Sequence, residues 1–216
     1  MGSMRLYAIA IDEVRDIFRA TPEVAGSLRA MAAARFGENS PQQPGLLGKL
    51  GPVFRRAPDA PVVRPDLPSG SDVDALLCGR YVAPHRLAAC WLLLETWLEG
   101  LAWGSTGLEL TEARLNDVDF DLVRAEVPSR HGLRSLLTAD LGIALMPCPG
   151  LAAGWVHGDH VRAMAATWRA AVPRLDAEDR PLAEAVVAWL DEFRRWSSEA
   201  PAAHRPPPDL VAILRA

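Results

Sequence analysis

The chain is almost without lysine: Lys49 is the only one among 216 residues, so its positive charge is carried by arginine. The arginines form no run, and the net charge is −4. Neutralising a phosphate backbone takes clustered positive charge, so no nucleic-acid partner is expected. Cysteine is scarce too. Cys78, Cys90 and Cys148 are odd in number, widely spaced and form no CxxC pair, which excludes a secreted disulfide scaffold and a zinc ribbon. A reducing cytoplasm is the expected compartment. No apolar run reaches the roughly 18 residues that a membrane-spanning helix needs. Leu92-Leu93-Leu94 is cut short at Glu95, and nothing resembles a signal peptide, so no membrane partner is expected. The GxGxxG and GxxxxGK[ST] loops and the GxSxG elbow are missing, which removes those routes to nucleotide binding and serine hydrolysis. No cofactor and no metal is expected.

Half of the residues are hydrophobic and 23% are charged, the composition of a folded globule. A chain of this length can bury one core. The pattern predicts an α+β fold, a single compact domain that is mostly helical, with a small sheet started by an N-terminal strand. Met1-Gly2-Ser3 ahead of Met4 reads as a vector-derived remnant. The domain is expected over 4–199, and 200–216 reads as a proline-rich connector followed by a short C-terminal helix capped by Asp209.

Arg5 to Ile11 is apolar on both alternating faces, as in a strand covered on two sides. Asp12 is a candidate cap for a helix with Val14, Ile17 and Phe18 inward. Thr21-Pro22 then opens a second helix, with Val24, Leu28 and Met31 inward and an end near Gly37. From 37 to 71 periodicity disappears among seven prolines, and a long inserted loop is expected. A short helix follows from Asp72 to Leu77. Pro84 opens what reads as the longest helix, to Trp103, with Leu87, Trp91, Leu94, Leu98 and Leu101 on one stripe. Glu95 and Glu99 are its solvated shoulder. Leu108 to Thr111 suggests a short strand. The run Asn116-Asp-Val-Asp-Phe-Asp has the DxDxD spacing of a calcium loop but lacks the required glycine and terminal glutamate, so it reads as a cap at Asp119 or an acidic exposed edge. Two amphipathic helices follow. One starts at Gly158 or Asp159 and carries Val161, Met164, Ala165 and Trp168; the other, after Pro181, carries Leu182, Val186, Trp189, Leu190 and Phe193.

The densest chemistry lies in Gly154-Trp155-Val156-His157-Gly158-Asp159-His160. Histidine titrates near neutrality and suits proton transfer, so His157, Asp159, His160 and the more distant His131 are the candidate catalytic residues. The competing structural reading makes Asp159 a helix N-cap, with His157 in the loop and His160 in a solvated first turn. Two histidines three apart do not match the HExxH zinc pattern. Trp103 and Trp155 stand beside glycines where a pocket wall can form, and Cys148 between two prolines can present its thiol. These three are the candidate ligand-binding residues.

The opening YAIAIDEVRDIF, the central helix with its LLLExxxE run and the segment LMPCPG…GWVHGDHVRAMAATW together resemble the YfbM-like family of uncharacterised bacterial proteins and their actinobacterial relatives. The resemblance implies a compact α+β domain and brings no established reaction or ligand. It puts His157 where the family has a Ser/Thr cap and His160 at an acidic position, and makes 37–71 an insertion.

Two functions stay open on the sequence. The first is a binding or interaction protein, immunity-like or an accessory factor, meeting its partner through an acidic face and the 37–71 loop. The alternative is a small enzyme or small-molecule-binding protein with a Trp/His-lined pocket around 154–160. The partner is accordingly a protein or a small molecule, and oligomeric state is not encoded in any recognisable motif.

Overall fold

The computed structural model describes residues 2–37 and 66–216. Most of the expected 37–71 loop therefore lies outside the described residues. Contacts divide the chain into two units, one of Met1–Asp16, Leu98–Ile143 and Pro147–Ala216, the other of Ile17–Trp97 and Ala144–Met146. The class is α+β, as predicted: helices dominate the described residues, beside one small antiparallel sheet.

The first unit holds that sheet. Its strands are β1 (Ser3–Ile9), β2 (Gly104–Leu108), β3 (Leu151–Val156) and β4 (Asp209–Arg215), in the order β2-β1-β4-β3. β1 is covered on both sides as its sequence predicts, with Met4, Leu6 and Ala8 on one face and Tyr7 and Ile9 on the other, all buried. Ser3 pairs with Arg215, and a Cβ on Gly2 would lie 2.6 Å from the Leu110 carbonyl oxygen. Ser3 thus belongs to the folded sheet, and Gly2 packs closely beside it.

Two expectations are corrected here. The C-terminal segment is not a helix but β4, inserted between β1 and β3 with Leu210 to Leu214 buried. An apolar run of five residues is too short to show a period, and both of its faces are consumed by a central strand. The second strand runs over Gly104–Leu108, ahead of the expected Leu108 to Thr111, with Met4 opposite Leu108. Gly104 suits this position because a Cβ there would meet the Trp196 ring at 2.5 Å. Thr111 instead caps the next helix, accepting from the Arg114 amide at 3.2 Å.

That helix, α5 (Glu112–Arg124), contains the acidic run, which is neither a loop nor a free edge. Asp119 accepts from the Leu133 and Arg134 amides at 2.7 and 2.9 Å, and buried Asp121 accepts from the Asp176 amide at 2.8 Å. Unpaired amides in buried turns are costly, so these mid-helix carboxylates act as caps for distant segments. Two further helices, α6 (Gly158–Ala171) and α7 (Arg180–Glu199), bury the predicted faces. Leu182 and Trp189 are only partly buried, and α7 is the longest described helix. Together with α5 they cover the Met4, Leu6, Ala8, Leu210, Ala212 and Leu214 face of the sheet. A short helix, α1 (Ile11–Asp16), follows β1.

In the second unit, α2 (Pro22–Phe36) starts at the predicted Thr21 cap, but its inward face is Ala25, Leu28 and Ala32, and Val24 is exposed. Next comes α3 (Gly70–Leu77), opened by a reciprocal Ser69/Asp72 capping box. The following helix, α4 (Leu87–Leu101), is preceded by a 3-10 turn at Pro84–Arg86, and the chain leaves this unit within it. Its stripe is buried as predicted except at half-buried Leu101. The Trp97 indole donates to the Leu28 carbonyl at 2.9 Å. Buried Asp72 pairs with Arg86 at 2.6 Å; burial pushes its carboxyl up, and the bonds from Arg86 and Ser69 outweigh that and leave it below the usual range. Cys90 is also buried, and its thiol is pushed up to about 12, chiefly by burial. A thiol held protonated is a packing residue, not a nucleophile.

Candidate functional site

The step from β3 into α6 is built by close approaches. A Cβ on Gly154 would lie 2.5 Å from the Leu136 carbonyl oxygen, and one on Gly158 would lie 2.6 Å from that of Pro208. The N-cap of α6 is His157, not Asp159, and its side chain makes no capping bond. Asp209, at the head of β4, performs that task. Its Oδ1 accepts from the Gly158 amide at 3.1 Å while its Oδ2 accepts from the Ile11 amide at 3.0 Å. One carboxylate therefore closes the starts of both α1 and α6, and it also stands 3.4 Å from His157 Nδ1. Asp159 lies exposed in the first turn, ion-paired with Arg162. A serine or threonine at 157 would cap the helix itself; with histidine there, the cap comes from across the sheet.

Trp155 points to the opposite side of β3 from Gly154, and its register partner is Val211. Its indole donates to the Asp140 carbonyl at 2.9 Å, and the Arg15 guanidinium lies 5.5 Å from the ring centroid. Arg15 is itself held, donating to the Leu141 carbonyl at 2.9 Å. The His157 ring meets Trp155 edge-on at 4.5 Å, and three-quarters of the His157 side chain is exposed. Around these residues lies a shallow, open depression of about 260 Å³, floored by Ala139, Trp155 and Val156 and bordered by His157 and His160.

His131 and His160 form a second, inner corner. Their rings meet edge-on at 4.9 Å. His160 Nε2 lies 2.9 Å from the Arg130 carbonyl; a carbonyl only accepts, so Nε2 carries the proton. His131 is buried, with Nδ1 2.9 Å from the Thr167 hydroxyl, which donates its one proton to the Met164 carbonyl. Nδ1 is therefore the donor, and the His131 carbonyl accepts from the Trp168 indole at 2.7 Å. Burial, with His160 and Arg130 nearby, holds its pKa below the ordinary value.

The structure thus brings Trp155, His157 and His160 to one depression and places His131 behind it. Asp159 is absent from the lining. Trp103 and Cys148 lie elsewhere in this unit. The Arg205 guanidinium stacks 4.7 Å from the Trp103 ring, whose buried Nε1 has no hydrogen-bond partner among the described residues; Cys148 is a half-exposed free thiol in the turn before β3. No group of three potential metal ligands occurs among the described residues, and no described helix is long and apolar enough to cross a membrane. Sequence reasoning missed Asp209 and Arg15 as members of this site. Only Asp209 carried a signal, that of a capping residue, and it was assigned to the wrong helix.

The chain belongs to the family defined as a domain of unknown function (DUF7691), which its residues 1–213 match. No curated protein and no solved structure matches it.

Proposed function

We propose that this member of a family without an assigned function is an interaction protein, and that the Trp155 depression is where it meets a protein partner. The observation that carries the reading is the depression's shape and lining. An apolar floor with an aromatic wall and imidazoles at the rim suits a partner's apolar side chain, and tryptophan is enriched among residues that dominate interfaces. At about 260 Å³ and widely open, it is smaller than the roughly 300–1,000 Å³ clefts that enclose small molecules. Free thiols at Cys78, Cys90 and Cys148 support a cytoplasmic setting. An immunity-like or accessory role, and kinship with the YfbM-like proteins, belong to the same reading. A random peptide library selected against the protein and counter-screened on Trp155→Ala tests it. The selected peptides are expected to bind the variant at least tenfold more weakly, a loss of about 1.4 kcal/mol. Peptides that bind both forms equally, or no selection at all, contradict it.

A second reading rests on the 3.4 Å approach of Asp209 to His157 Nδ1. A carboxylate there orients the ring and leaves Nε2 outward as a general base, the alternative in which the protein is a small enzyme. Imidazole acylation by diethyl pyrocarbonate, followed by mass spectrometry, distinguishes it. A base poised in this way reacts faster at His157 than at exposed His204, and equal rates remove the case for catalysis.

A further inference from the structure

The groove between α6 and α7 inverts the acidic character of the chain. Arg162 and Arg169 are two turns apart on α6, about 10.5 Å along its axis, and Arg194 faces them from α7; all three border one small pocket, with Asp191 as the single carboxylate in its lining. Its floor is Ala165, Ala166 and Leu190, and the two alanines leave the space that longer side chains would fill. Its volume is about 100 Å³, room for about three waters at ~30 Å³ each, and so for one tetrahedral oxyanion. Arg162 pairs with Asp159 and Arg169 with Asp191, all four exposed, while the Arg194 side chain has no hydrogen bond or ion pair among the described residues. Exposed pairs of this kind contribute little. Each guanidinium also has five N–H donors, enough to serve its carboxylate and an incoming anion together. Planar guanidinium forks match phosphate oxygens in pairs, and a doubly charged anion competes with a singly charged carboxylate for them.

We propose that the α6–α7 groove is a binding site for a phosphomonoester, whose phosphate seats among Arg162, Arg169 and Arg194 while its organic part lies outside. The site is separate from the Trp155 depression and does not depend on it. Calorimetric titration of the whole chain at low ionic strength tests it, with inorganic phosphate, phenyl phosphate and acetate as probes. Saturable one-to-one binding of both phosphates is expected, with phenyl phosphate at least as tight and acetate much weaker. Arg194→Gln is expected to weaken phenyl phosphate binding at least tenfold, and Arg194→Lys, which keeps the charge, less so. Unfolding temperatures of the variants report whether each remains folded. Non-saturating heats, equal affinity in Arg194→Gln, or acetate binding as tightly as the phosphates overturns the proposal. Binding of inorganic phosphate without phenyl phosphate overturns its ester part.

Discussion

The two histidine corners at the start of α6 share a residue type and little else. In the inner corner His131 is buried, with its Nδ1 taken up by Thr167 and its carbonyl by the Trp168 indole. At the outer rim the His157 side chain is exposed and caps no amide, because Asp209 has taken over the capping work. Polar atoms satisfied inside the fold hold it together; those left outside by a substitute partner are available to a ligand. The difference makes the inner corner structural and leaves the outer rim as the place where the proposed partner would be met.

The comparison breaks most visibly at Trp168, which is fully buried. Trp168→Ala leaves a large cavity and orphans the His131 carbonyl, and a loss of about 3–5 kcal/mol is expected in urea unfolding. A loss below about 1 kcal/mol would mean that the inner corner is not structural. Gly154→Ala comes next. Its Cβ would sit 2.5 Å from a backbone oxygen that cannot rotate away, and about 1–3 kcal/mol is expected from overpacking. A smaller effect is expected from pH. His131 is held below its ordinary 6.5, so the unfolded chain takes up a proton more readily than the folded one. That contribution is fully present above about pH 6.5, is lost as pH falls from there toward the lowered folded value, and is then constant. The fall in melting temperature from pH 7 to 5.5 is therefore expected to be shallower in His131→Gln than in the wild type; parallel curves would remove His131 as the source. The smallest effect belongs to the rim. His157→Ala is expected to change stability by no more than about 0.5 kcal/mol, and a larger change would place His157 with the inner corner.

How much of this was legible follows from where each signal sits in the chain. β1, the buried faces of α6 and α7 and the Thr21-Pro22 start of α2 are written in local periodicity and capping chemistry, and they were readable. β4 was not, because five apolar residues fit a strand and a helix turn equally and only its neighbours β1 and β3 decide between them. The partners of the inward carboxylates Asp119, Asp121 and Asp209 were not legible for a related reason. Each carboxylate serves amides that are distant in sequence, and such a pairing leaves no local pattern. The helix start within 154–160 was readable, but its main organiser, Asp209, comes from a strand about 50 residues away. His131 meets His160 through the same kind of long-range closure.

The division between a structural inner corner and a recognising rim is tested most directly by selecting random peptides on the wild-type protein and measuring them against Trp155→Ala and His157→Ala, with unfolding followed on the same samples. The account predicts variants whose fold is intact and whose peptide affinity falls at least tenfold for Trp155→Ala. Unchanged affinity in both folded variants would contradict it.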